Sequence, residues 1–335
     1  MPNTPTSTPT ATPSATSTRT PTSTPSSGAW VDHGPIEPIA SVSTAWGKTI
    51  SWLTPYQGRI FLGHGDYTMN VPNPTHLLAW DDSEGVIDYG ALNTVALLNM
   101  NVIGDQLAIP YTDPAVGSYP TTSFLKPDGS IETLGAGYTP RAFHVYGSAI
   151  FNGQRYLSGS HIASSTQDGY AVWRDDNGQW VNTDFTPNSF YQTDDQHVAK
   201  RIYGIAVLNS TLYSGASNGV IRRTTDGRTW STVTTSGRML RPLVAHGKIY
   251  FHGVDAGYST ANLYAFDGSR ASTAFSSVWS HTVGEDGNLY VLLSDRRIVN
   301  ASGATVETAP ANACSLARAN GKWYIGTSDS RLYTK

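Results

Sequence analysis

Ser210-Thr211-Leu212-Tyr213-Ser214-Gly215 decides the fold, because its cadence of turn, aliphatic-aromatic pair and small closing residue recurs along the chain. It returns as Gly58-Arg59-Ile60-Phe61-Leu62-Gly63, Asp105-Gln106-Leu107-Ala108-Ile109-Pro110 and Gln154-Arg155-Tyr156-Leu157-Ser158-Gly159. Further on come Gly247-Lys248-Ile249-Tyr250-Phe251, Gly287-Asn288-Leu289-Tyr290-Val291 and Gly321-Lys322-Trp323-Tyr324-Ile325-Gly326. The seven copies fall about 44 residues apart, the length of one four-stranded propeller blade.

Around each copy the pattern is β. Apolar strands precede them, as at Ser41 to Trp46, Arg201 to Leu208 and Ser315 to Ala319, and third strands follow, as in Leu77-Leu78-Ala79-Trp80-Asp81 and Leu263-Tyr264-Ala265-Phe266-Asp267. Clusters such as Pro127-Asp128-Gly129, Asp175-Asp176-Asn177-Gly178 and Asp267-Gly268 punctuate them with turn chemistry. No amphipathic helical period intervenes. The last copy runs out at Lys335 after three strands, while Ala29 to Gly34 is an orphan strand at the other end. The expectation is an all-β, seven-bladed β-propeller over residues 29–335, closed by residues 29–34 as the missing strand of the last blade, with six or eight blades as alternatives.

Composition narrows the partners. The 335 residues are 39% hydrophobic and only 14% charged, with net charge −3, and no basic run offers a footprint for a nucleic-acid backbone. No stretch is apolar enough for a helical membrane span. One cysteine, Cys314, excludes an internal disulfide or a Cys-based zinc site, and its apolar setting reads as core. No cofactor is expected.

Residues 1–28 differ from the rest: 6 Pro, 10 Thr and 6 Ser, with Arg19 the sole charge. Such a segment has nothing to bury and reads as an extended, polyproline-like extracellular arm carrying O-linked sugars. Thr4, Thr6, Ser7, Thr8, Thr10, Thr12, Thr16, Thr18, Thr20, Thr22 and Thr24 are the candidate acceptors. Asn209-Ser210-Thr211 and Asn300-Ala301-Ser302 fit the N-glycosylation pattern.

Arg223-Thr224-Thr225-Asp226-Gly227-Arg228-Thr229-Trp230 resembles the Asp-box of sialidase-like propellers. The resemblance implies that Asp226 bonds backbone amides of its turn beside Gly227, that Trp230 packs between neighbouring sheets, and that the motif lies away from any ligand site. A sialidase would also need three arginines on a carboxylate, the first in an Arg-Ile-Pro phrase, and a Tyr nucleophile backed by Glu. Here Arg59-Ile60 is followed by Phe61, and only five glutamates exist. No catalytic set is advertised.

The longer loops after the second strand of blades one, two, three and five, with the connection Asn182 to Lys200, are expected to gather on one face. They carry Tyr67, Tyr111, Tyr119, Tyr191 and Tyr258 as platforms, with Asp66, Asp113 and Asp255 beside them, a set suited to sugars or a protein surface. His64, His161 and His252 follow these strands in separate blades, too far round the ring to share a metal. The leading functional expectation is a non-enzymatic extracellular or cell-surface subunit, polymerising head-to-tail as its arm docks on a neighbouring propeller. A carbohydrate-binding propeller and a glycoside hydrolase or lyase are the alternatives.

Overall fold

The computed structural model describes residues 28–66, 75–115, 122–135, 142–164, 167–183, 201–235, 238–253 and 260–335. These residues hold 27 strands and one three-residue 3-10 turn, Ile39–Ser41. The chain is a β-propeller.

Five sheets have four strands each. They are β2 to β5 (Trp52–Tyr56, Arg59–Gly63, Thr75–Asp81, Gly85–Leu92), β6 to β9 (Asn101–Ile103, Gln106–Pro110, Thr122–Leu125, Ile131–Thr133), β10 to β13 (Ala142–Phe151, Gln154–Ser164, Gln167–Asp176, Gln179–Asn182), β14 to β17 (Ile202–Leu208, Thr211–Ala216, Val220–Thr224, Ser231–Thr235), and a last one described below. The sixth sheet has seven strands: β18 (Leu240–Ala245), β19 (Lys248–His252), β20 (Ala261–Phe266), β21 (Ala271–Val283), β22 (Leu289–Leu293), β23 (Arg297–Asn300) and β24 (Thr305–Thr308). Within it β21 serves twice, pairing with β20 as the outer strand of one unit and with β22 as the inner strand of the next. The bend between the two roles is at Ser277, φ +56°. Counted this way, the pairing makes seven four-stranded units.

The closing sheet is β25 (Ala313–Ala319), β26 (Lys322–Thr327), β27 (Arg331–Thr334) and, from the other end of the chain, β1 (Val31–Pro35). Val31 pairs with Thr334 and Pro35 with Arg331, and Arg331 Nη1 donates to Asp32 Oδ2 at 2.6 Å. The expected closing strand is thus β1, one or two residues further on than the sequence places it. Ser41 to Trp46, expected as an inner strand, is instead the end of the 3-10 turn followed by bends. Thr44 Oγ1 accepts from Gly47 N there, side-chain chemistry that competes with a ladder.

Inner strands of consecutive units touch in cyclic order, and β25 lies against β2, which closes the ring. Burial follows this plan. Seven apolar clusters each lie between two neighbouring four-stranded units, so every unit is buried on both faces and the described residues share no single central core. The turns joining strands one to two in every unit, and three to four in all but the closing unit, share one face, called here the hairpin face. The other connections share the opposite, loop face.

All six hairpins joining third to fourth strands begin with an Asp or Asn whose side chain takes backbone N–H groups of the turn. Asp81 accepts from Ser83 and Glu84, Asp128 from Ser130, Asp175 from Gly178, Asp226 from Arg228 and Thr229, Asp267 from Ser269 and Arg270, and Asn300 from Ser302 and Ala304. Second-strand tyrosines lock these turns to the preceding sheet: Tyr324 Oη donates to Asp82 Oδ2 at 2.9 Å, and Tyr213 Oη to Gly268 O at 3.5 Å.

Candidate functional site

The channel along the ring axis is lined by the inner strands, and its two ends differ in chemistry. At the loop end, His144 of β10 is buried, and its Nδ1 lies 3.0 Å from Thr112 O and 2.7 Å from Asp113 Oδ1. Its Nε2 lies 3.1 Å from Arg201 Nη2. Guanidinium can only donate, so Nε2 carries the lone pair and Nδ1 the proton, aimed at Asp113. The result is a fixed relay of carboxylate, imidazole and guanidinium across three blades.

Arg201 stacks over Tyr146 at 5.7 Å and Arg238 over Tyr203 at 5.7 Å, while the two rings meet at 5.0 Å. Ser217 ties the arginines together: its N donates to Arg201 O, its Oγ accepts from Arg201 N, and its carbonyl accepts from Arg238 Nε at 3.2 Å. Among the described residues neither guanidinium has a carboxylate within ion-pair distance, and Arg201 Nε is buried without a hydrogen-bond partner. Two half-buried guanidiniums, with Asp113 reaching Arg201 only through His144, leave a favourable place for an anion.

Deeper in, Arg241 crosses the channel from β18. Its Nη1 donates to Ser51 O at 3.0 Å and its plane lies over Trp52 at 4.7 Å. His281 stacks on His252 at 5.0 Å and meets the edge of Trp52 at 5.6 Å. Burial pushes the His281 imidazole down to about 3, helped by the Arg241 charge, and holds His252 well below its ordinary value. Below this plug the channel opens on the hairpin face as a cavity of about 410 Å³, bounded by Trp52, Tyr146, Tyr203 and Arg241 at its deep end.

Of the residues expected on the loop face, Asp66 and Asp113 come together. Val95 bridges them, donating its N–H to Asp113 O while its carbonyl accepts from Asp66 N, both at 3.1 Å. Tyr111 is a correction. It is 1% exposed in the core between the first two sheets, and its hydroxyl lies 2.8 Å from Ser123 Oγ, so it offers no ring to a ligand. Its phase is that of β7, whose inward alternation continues one residue past the strand. Of the stretch from His161 to Asp168, expected as a loop, the described residues 161–164 and 167–168 prolong β11 and β12, with Ile162 paired to Asp168. Tyr67, Tyr119, Tyr191, Tyr258, Asp255 and the candidate arm acceptors from Thr4 to Thr24 lie outside the described residues.

Two of the three histidines weighed as ligands turn inward within their own sheets, His64 Nε2 to His76 O and His161 Nδ1 to Tyr170 O, and the third is His252 of the stacked pair. Among the described residues no group of three or more His, Cys, Asp or Glu could hold a metal. Asp226 Oδ1 accepts from Arg228 N and Thr229 N at 2.8 Å each, while Gly227 N donates to Thr224 Oγ1. Those amides hold the Asp226 carboxyl well below the usual range. Trp230 Nε1 donates to Thr183 Oγ1 and the ring packs on the cluster shared with the preceding sheet.

His144, Tyr146, Arg201, Tyr203 and Arg238 went unread in the sequence. The available signal was Arg201-Ile202-Tyr203 opening an inner strand, with Arg238 opening the next.

No known protein-family profile matches the chain, and no curated protein matches it in sequence. Solved structures do. The WD40 β-propeller domain of Doa1 aligns at TM-score 0.52 and 12% identity, over 85% of this chain and 92% of that one. BamB from Moraxella catarrhalis aligns at TM-score 0.46 and 12% identity, over 85% and 84%. At such identity the likeness to Doa1 shows the propeller fold alone.

Proposed function

We propose that this chain is a non-enzymatic extracellular or cell-surface subunit, a seven-bladed propeller of the Asp-box type that self-assembles by docking its Thr/Pro/Ser-rich arm on a neighbouring copy. The observation that carries this reading is the closing sheet. There β1 is the outermost strand and pairs with β27, so the root of the arm stands at the outer rim of the ring, on its edge strand. An arm rooted there can leave its own ring, and an extended 28-residue segment spans roughly 85 Å. The Asp226 turn and the seating of Trp230 support the Asp-box assignment.

Sedimentation velocity and electron microscopy of the full chain beside a chain beginning at Gly28 test the reading. Polymers are expected only with the arm, and monomers with unchanged far-UV circular dichroism without it. Polymers of equal length from both sink it.

A second reading, carbohydrate binding, is favoured by the Arg201 and Arg238 pair at the loop end, two guanidiniums with no carboxylate of their own among the described residues.

A further inference from the structure

The hairpin end of the channel has a feature that repeats with the blades. One inner-strand position, next to the turn, is Pro55 opposite Ile60, Val102 opposite Leu107, Ile150 opposite Arg155, Val207 opposite Leu212, Val244 opposite Ile249 and Val283 opposite Leu289. The seventh is Arg318, opposite Trp323. The six apolar members all line the 410 Å³ cavity. Val102, Ile150 and Val244 are 44, 39 and 43% exposed. With Val31 and Val86, which stand at the same ends of β1 and β5, five of the six large apolar residues that the described chain leaves exposed lie on the hairpin face. Concentrated apolar surface of this kind marks a docking site, whereas scattered exposed side chains do not.

We infer that this mouth receives the N-terminal arm of a second copy, which rests on the arm-mediated assembly proposed above and names its acceptor. Three observations select that occupant. Val31 is paired with Thr334 beside the C-terminus, so the 27 residues preceding the described chain begin on the same face as the mouth. Trp30 Nε1, donating to Thr308 O at 2.8 Å, fixes that starting point at the rim. The mouth lies only three strand spacings inward, about 14 Å, whereas an arm of that length spans roughly 84 Å; the surplus carries it across to a copy lying alongside. The arm also matches the mouth chemically, with six prolines and one charge against a rim that is apolar at every position but Arg318, over a deep wall of Trp52, Tyr146, Tyr203 and Arg241. Proline-rich segments enter such apolar, aromatic-walled sites because little conformational freedom remains to be lost. Arm on one copy and mouth on the next are different patches, so the contact is heterologous and propagates.

Cys314, the sole cysteine, is buried and its thiol is pushed up by burial, so introduced cysteines report unambiguously. Full chains carrying Thr12→Cys are mixed with full chains carrying Ile150→Cys under mild oxidation. Disulfide-linked pairs are expected at least tenfold above a mixture with Asp295→Cys, which places the thiol on the loop face. Val102→Lys with Val244→Lys, charging the mouth at exposed positions, is expected to reduce arm-dependent polymer at least tenfold with circular dichroism unchanged. Equal cross-linking at positions 150 and 295, polymer unaffected by the two lysines, or cross-links confined within single chains that carry both cysteines would each overturn the acceptor. Arm-dependent polymer without the cross-link leaves the assembly reading standing and removes only the mouth; absence of arm-dependent polymer removes the reading beneath it.

Discussion

Gly227 shows how one residue can carry the fit between two blades. Its φ is +72°, and a Cβ there would stand 1.9 Å from Tyr156 Oη of the preceding sheet, where Tyr156 is itself fully buried. Gly178, in the equivalent hairpin one blade earlier, has φ +90° but nothing within 4 Å of a Cβ. Replacing either by alanine imposes the left-handed backbone cost of about 1–2 kcal/mol. Only Gly227→Ala adds overpacking against a ring that cannot swing away, a further ~1–3 kcal/mol. Urea unfolding should therefore rank Gly227→Ala below Gly178→Ala by at least 1 kcal/mol, and equal losses would show that the Tyr156 contact is soft. The turn around Gly227 was legible in the sequence because Asp, Gly and Trp at fixed offsets are local chemistry. That Tyr156 fills the space above it was not, since the contact joins residues of different blades.

At the scale of the strand, legibility follows regularity. The second strands could be read directly, because each is flanked by tight turns and buried on both faces, so every copy is forced towards the same phrase. Inner strands were harder. Register shifts interrupt β10, β14, β18 and β25 near their starts, at Ala142/His144, Ile202/Gly204, Leu240/Leu243 and Ala313/Ser315, and Arg241 there has φ +48°. Bulges re-aim side chains off the alternating pattern, and it is at these starts that the His144, Arg201 and Arg238 cluster is assembled. The apolar ring was missed for a related reason: its members are separated by a whole blade and only pairing register makes them equivalent. The bulged starts also carry a prediction for the carbohydrate reading. Arg201→Gln with Arg238→Gln removes both guanidiniums while retaining amide donors, so binding to uronate-containing glycans on an array should fall at least tenfold and binding to neutral glycans should not change. A loss of both alike would assign the arginines to folding, and retention of uronate binding would place the ligand elsewhere.

Over the whole molecule, seven clusters between neighbouring units in a closed ring mean that no blade can leave without exposing two of them, so loss of one blade's packing is felt around the ring. Three buried histidines tie that ring to pH. His64, in the first blade, is pushed down to about 4 by burial, only partly offset by its bond to His76 O. His281 is pushed down to about 3, and His252, stacked on it and facing Arg241, lies well below its ordinary value. Each is therefore neutral in the fold at a pH where the unfolded chain, with imidazoles near 6.5, already binds a proton. Stability from these groups is fully present above about pH 6.5 and is lost as pH falls towards the folded values, at up to about 1.4 kcal/mol per pH unit for each. The turn carboxylates of Asp81, Asp226 and Asp267, all held below their ordinary range by turn N–H groups and serine or threonine hydroxyls, act in the same direction but only below about pH 4, so the two effects occupy separate windows. Urea midpoints measured from pH 7 to 4.5 should fall steeply in the first window. His252→Gln with His281→Gln removes two of the three titrating groups and should flatten that slope by more than half, even if the starting stability is lower. A midpoint independent of pH down to 4.5 would mean that the histidines protonate without opening the ring.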